Sequence, residues 1–127
     1  MIVGLVDSTV IIHLLRNNPP AIAWATTVSA RLGVTSITWL EVMYGASGKV
    51  GQSRAKSVLA KFELQFPTQA DQEWAMTQME QYRLSQGVGI NDCLIASVTQ
   101  RLQVPLLTHN QKDFLKVLPA HLVIKPY

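Results

Sequence analysis

Three short runs in this chain are apolar from end to end: Met1 to Val6, Val104 to Leu107 and Leu122 to Ile124. A strand with one face in water alternates apolar and polar residues, so unbroken apolar runs belong to strands covered on both faces, the habit of parallel sheets. Between them lie longer segments whose apolar residues recur at helical spacing. Strand and helix in alternation predict a three-layer α/β/α domain with a short central parallel sheet. With 127 residues, 48% of them hydrophobic, the chain has enough apolar surface for one domain, residues 1–127, without disulfides or a structural metal.

In chain order, Asp7-Ser8-Thr9 ends the first strand and caps a helix in which Val10, Ile11, Leu14 and Leu15 share a face. Asn17-Asn18-Pro19-Pro20 breaks that helix, and Ala21 to Arg31 forms the next, closed by Gly33 before a strand from Val34 to Ile37. A helix from Thr38 carries Leu40, Met43 and Tyr44 on one side, and Gln52 to Leu64 forms another. Phe66-Pro67 reads as a minimal strand and Thr68 as the cap of a long helix from Ala70 to Gln86. The segment Gly87-Val88-Gly89 then leads into a helix with Asn91 and Asp92 in its first turn. A short helix from Lys112 to Leu118 precedes the last strand.

Four carboxylates stand at junctions of this plan: Asp7 after the first strand, Glu41 and Asp92 in first turns of helices, and Asp113 after Thr108 and Asn110. Singly, each suits a helix N-terminus; Thr38-x-x-Glu41 even reads as a capping box. In a parallel sheet, however, all four can open on the carboxyl edge of the strands, where such folds bind ligands. Carboxylates gathered there repel unless a divalent cation neutralises them, and an all-oxygen set suits Mg²⁺ or Mn²⁺. The three histidines show no zinc spacing, and one cysteine makes no thiolate site. The remaining charge is basic: beyond these four acids the chain carries eleven Lys and Arg against four Asp and Glu. An acidic pocket on a basic body suits a polyanion.

The motifs Val6-Asp7-Ser8-Thr9, Leu40-Glu41-Val42-Met43-Tyr44-Gly45-Ala46, Asn91-Asp92-Cys93-Leu94-Ile95-Ala96 and Thr108-His109-Asn110-Gln111-Lys112-Asp113-Phe114 occur in that order. Together they resemble the ordered motifs of PIN-domain ribonucleases, most closely the VapC-type toxins of bacterial toxin-antitoxin pairs. The resemblance spans nearly the whole chain. It implies a metal-dependent endoribonuclease, using Mg²⁺ or Mn²⁺, that is silenced by a cognate antitoxin and leaves a 5′-phosphate and a 3′-hydroxyl. It places Asp7, Glu41 and Asp92 at the core acidic positions and Asp113 at the last and more variable one. Thr108 and Asn110 fall on the supporting polar pair, and Ser8 and Thr9 beside Asp7 read as cap or supporting residues. Many PIN domains have an acid where this chain has Asn110, so a fourth metal-binding charge depends on Asp113 reaching inward.

Lys49, Arg54, Lys56 and Lys61 form the densest basic stretch and are expected to track an RNA backbone. Two other readings compete. A phosphorylation receiver shares the doubly wound plan and a late Lys-Pro, here Lys125-Pro126, but needs a mid-chain phosphoacceptor that this sequence lacks. A non-catalytic binding domain would use the carboxylates only as caps, with Trp24, Trp39, Trp74 and the methionines supplying an antitoxin or homodimer surface. The single Cys93, the lack of a membrane-length apolar stretch and the lack of a basic leader fit a cytoplasmic protein.

Overall fold

The computed structural model describes residues 1–127. Five parallel strands form one sheet: β1 (Gly4–Val6), β2 (Leu32–Thr35), β3 (Glu63–Gln65), β4 (Leu106–Leu107) and β5 (Val123–Ile124), in the order β3-β2-β1-β4-β5. Seven α-helices accompany them: α1 (Ser8–Leu15), α2 (Pro19–Thr27), α3 (Ser36–Gly45), α4 (Gly48–Leu59), α5 (Gln69–Gln86), α6 (Ile90–Leu102) and α7 (Gln111–Phe114). A single 3₁₀ turn, Ala120–Leu122, leads into β5.

Alternation along the strands divides the core in two. Val6 and Val34 face one way, into a cluster with Val10, Ile11 and Leu14 of α1, Val42 of α3 and Ala55 and Leu59 of α4. Leu5 and Leu106 face the other, packing with Ile95, Ala96 and Val98 of α6, Phe114 of α7 and Leu118. The layers are therefore α1 to α4, the sheet, and α5 to α7. Trp24 and Trp39 pack half-buried against the first cluster and Trp74 against the second, so each spends part of its ring on the core. No helix is long and apolar enough to cross a membrane.

The expected elements are present with shifted ends. Pro19 and Pro20 start α2 instead of merely breaking α1, because proline's missing N–H costs nothing in a first turn and Asn18 accepts the Ala21 N–H. Gly33 does not close a helix; it lies inside β2. A Cβ there would meet Ile2 Cδ1 at 2.8 Å and the Glu63 carbonyl oxygen of β3 at 3.0 Å, so any side chain would force the Ile2 side chain and the neighbouring strand to shift. The third strand precedes Phe66-Pro67, and α4 begins earlier and ends earlier than its periodicity suggests. Thr68 does cap α5, in a reciprocal pair with Asp71. The buried Asp71 carboxylate also accepts from Arg101 Nε at 3.0 and 2.9 Å, which ties α5 to α6.

The strand order excludes the receiver reading, because receivers use the order 2-1-3-4-5 and this sheet reads 3-2-1-4-5. The strand that would carry a phosphoacceptor is here the edge strand β3, followed by Phe66 and Pro67. Replacing Gly33 by Ala should destabilise the fold by about 1–3 kcal/mol, the usual range for overpacking a filled core. Urea unfolding checks this, and an unchanged midpoint would mean that the sheet yields at Gly33.

Candidate active site

The centre of the site follows from strand register. Leu5 pairs with Leu106 and Val6 with Leu107, so the next positions, Asp7 and Thr108, come side by side where β1 and β4 end. The Asp7 N–H donates to the Leu107 carbonyl at 3.0 Å. Alternation aims both side chains toward the α6 layer. There Thr108 Oγ1 donates to Asp7 Oδ2 at 2.7 Å, with Thr108 fully buried and Asp7 3% exposed. Chain connections run to one side of β1 through β2 and to the other through β4, so this bond spans the topological switch point.

Asp7 is held by more than one hydroxyl. Thr9 Oγ1 donates to Oδ2 at 3.2 Å and Ser8 Oγ to Oδ1 at 3.3 Å. Each threonine hydroxyl in turn accepts a backbone N–H: that of His109 on Thr9 at 3.1 Å, and that of Asn110 on Thr108 at 2.9 Å. A hydroxyl that accepts from a fixed N–H has its own proton left for Asp7. The turn at His109 and Asn110 therefore directs both protons onto Oδ2 and leaves Oδ1 with only the longer Ser8 bond.

Three further carboxylates surround this centre. Asp92 sits in the first turn of α6, where no side chain caps the helix. Burial first, then the charges of Asp7, Asp113 and Glu41, push its carboxyl up to about 6. Burial also raises Glu41; the Asn91 side chain opposes this and the Asp7 charge adds to it. Glu41 Oε1 is sealed from solvent and has no hydrogen-bond partner. Asp113 behaves oppositely, held below its ordinary value first by Lys116, whose Nζ lies 2.9 Å from Oδ1, and then by the Asn110 side chain.

Glu41 is not in a first turn. Thr35 caps α3 by accepting the Thr38 N–H, which places Glu41 mid-helix, and no capping box forms at Thr38. No three His, Cys, Asp or Glu side chains approach closely enough to form a closed metal shell. The carboxylates share one electrostatic field without meeting at one point, as like charges do in the absence of a cation. The residues nonetheless fit a hard divalent ion, since the donors are oxygens and Glu41 Oε1 is a buried acceptor awaiting a partner.

The four basic residues of the α4 region do not form one track. Helical geometry places Lys49 and Lys56, seven residues apart, on one flank of α4 and Arg54 on the other, while Lys61, past the end of α4, lines a cavity with Arg54. Arg54 also lines a second cavity, with Glu41 and Arg16, a residue that no motif singles out. Equally unsignalled is the meeting of His13 and His109, whose ring centroids lie 4.8 Å apart beside the Asp7 network.

The PIN domain family model matches residues 4–118. The chain belongs to the PIN domain family. It is 29% identical over 126 residues to Ribonuclease VapC1 of Haemophilus influenzae strain R2866, covering 89% of this chain and 90% of that relative. Among solved structures it is similar to a toxin-antitoxin complex from Klebsiella pneumoniae, with TM-score 0.79, 25% identity and 98% of each chain covered. It is similar as well to VapBC-1 from nontypeable Haemophilus influenzae, with TM-score 0.74, 26% identity and 92% of each chain covered.

The raised Asp92 carboxyl sets a pH dependence of inverted sign. Between 3.8 and about 6 the folded chain holds a proton that the unfolded chain has released, so this group adds stability as pH falls and removes it as pH rises. Asp113, held low, works the other way and loses its contribution only as pH falls through its folded value. In metal-free buffer Asp92→Asn should melt about 2–6 °C above the parent at pH 7.5 and converge with it toward pH 4. A mutant less stable than the parent at every pH would make Asp92 a helix cap and nothing more.

Proposed function

We propose that residues 1–127 act as a single nuclease domain that hydrolyses RNA phosphodiester bonds with Mg²⁺ or Mn²⁺, as the toxin of a toxin-antitoxin pair. The observation that carries this reading is the convergence on Asp92: burial and the charges of Asp7, Asp113 and Glu41 all oppose its ionisation. Four acids that act on one another at the switch point of a parallel sheet are a poor arrangement for helix caps and a good one for a cation. The VapC1 relative is a ribonuclease by name, and the Klebsiella and Haemophilus structures are toxin-antitoxin assemblies, which supports RNA as substrate and an antitoxin as partner.

Asp7, Glu41 and Asp92 would hold the cation, with Asp113 joining once it leaves Lys116. When bound, a divalent ion supplies Lewis acidity to the phosphoryl group and acidifies water. The chain's own part is positional. Asp7 presents Oδ1 while three hydroxyls fix its plane, and Asp92 and Glu41 bring acceptors from the separate helices α6 and α3. Ser8 and Thr9 spend their protons on Asp7 and meet no imidazole nitrogen that could activate them, so water is the nucleophile. The resemblance to PIN-domain ribonucleases implies a 5′-phosphate and a 3′-hydroxyl as the products. Arg54 and Arg16, which share a cavity with Glu41, are placed to contact the RNA backbone, whereas Lys49 and Lys56 lie on the other flank of α4. Exposed apolar side chains, Tyr44 at 95% and Leu84 at 101% exposure, favour a partner surface for the antitoxin or for a homodimer in the cytoplasm.

Purified protein freed of any partner should cleave single-stranded or looped RNA with Mg²⁺ or Mn²⁺ and lose this in EDTA. Asp7→Asn and Asp92→Asn should each lower the rate by at least about a hundredfold, the scale of a lost electrostatic group. Undiminished cleavage by both would refute the site. RNA binding gives a second test: Arg16→Gln with Arg54→Gln should flatten the slope of log K against log salt by roughly 1, against little change for Lys49→Gln with Lys56→Gln. The reverse ranking would put the backbone on the other flank of α4.

A further inference from the structure

Beside the Asp7 network four aromatic rings from four parts of the chain pack together. Tyr127, beyond β5, donates or accepts one hydrogen bond with His13 Nδ1 of α1 at 2.9 Å. Its ring centroid lies 4.4 Å from that of His109, 5.8 Å from that of His13 and 5.6 Å from that of Trp24 in α2. His109 and His13 are themselves 4.8 Å apart. The His109 Nε2 atom is buried without a partner, so packing and no hydrogen bond of its own holds the imidazole.

What this packing fixes is a backbone. His109 stands between Thr108 and Asn110, and its own N–H donates to Thr9 Oγ1, which donates to Asp7 Oδ2. The flanks of this turn are tied down by the Thr108 N–H on the Ile124 carbonyl at 2.9 Å and by the Phe114 N–H on the Asn110 carbonyl at 3.4 Å. But β4 is only two residues long and α7 four, and at His109 itself the packing comes from this ring cluster. If the turn drifts, Thr9 loses the N–H that orients its hydroxyl, Thr108 loses that of Asn110, and Asp7 can rotate. From this geometry we propose that Tyr127 and His13 are positioning residues, clamping the His109 ring so that the turn holds Asp7 in the plane that metal binding and hydrolysis require.

The proposal rests on the nuclease reading for its catalytic consequence, but its physical step can be measured without RNA. In EDTA, Tyr127→Ala should speed hydrogen exchange of the His109 and Asn110 amides about tenfold while the amides of β1 and α6 keep the parent's rates, because only local opening changes. Tyr127→Phe keeps the ring and loses the hydroxyl, so it should fall between Tyr127→Ala and the parent. Mn²⁺ titrated calorimetrically into the same proteins should bind more weakly to Tyr127→Ala, and RNA cleavage should lose about tenfold in kcat with KM unchanged, as a misplaced group does. His13→Gln serves as a second variant should Tyr127→Ala fold poorly. Unchanged His109 exchange with intact Mn²⁺ binding overturns the clamp, as does faster exchange shared by every core amide. If the parent binds Mn²⁺ but cuts no RNA, the nuclease reading falls, and the exchange and Mn²⁺ measurements still decide the positioning role.

Discussion

The structure turns on one short hydrogen bond, Thr108 Oγ1 to Asp7 Oδ2 at 2.7 Å, because it joins the two halves of the sheet at the point where the strand order reverses. Register alone makes it available. With Leu5 opposite Leu106 and Val6 opposite Leu107, no other residues can stand at the ends of β1 and β4, and a slip of one position would turn Asp7 into the α1 layer. Behind it Leu5, Val6 and Leu106 are wholly buried and Leu107 is half-buried, which makes such a slip costly. A polar contact separated by 101 residues in sequence is thus fixed by the hydrophobic pattern of its neighbours.

The same logic explains what could be read in advance. Unbroken apolar runs identified β1 and β4, which are covered on both faces, and the edge strand β5 as well, although its Ile124 is exposed; Asp7 and Asp92 were legible as junction residues because each stands where a strand or turn gives way to a helix. Glu41 was misplaced by a turn, since Thr35 and Thr38 are both good caps and only the length of β2 decides between them. Gly33 was mistaken for a helix end because its purpose is set by Ile2, Leu5 and Glu63, none adjacent to it in sequence. The His13, His109 and Tyr127 cluster left no trace at all: aromatic packing across 114 residues has no period for a sequence to display.

Helix caps and a cation site predict opposite energetics, and the burial pattern distinguishes them. A cap is stabilising because its carboxylate meets free N–H groups, as Asp71 does at Thr68 while Arg101 neutralises it. Asp92 has no such cation close by; Lys116, the nearest that affects it, is already hydrogen-bonded to Asp113. Glu41 Oε1 meets nothing. The chain therefore pairs the buried Asp7 and Asp71 with donors and leaves two half-buried acids, Asp92 and Glu41, without a cation of their own. Burying an unpaired carboxylate is among the costlier things a small domain does, and the cost is offset only when a positive charge arrives.

That positive charge also decides how a polyanion can enter. Without it, Asp7, Glu41, Asp92 and Asp113 repel a phosphate, and basic residues elsewhere on the chain do not cancel a field concentrated at one edge. With it, the edge whose field these carboxylates share would become attractive, and Arg16 and Arg54 beside Glu41 would extend the attraction along one flank of α4. On the proposed nuclease reading, binding of cation and of RNA backbone would be linked, each weak at this edge without the other.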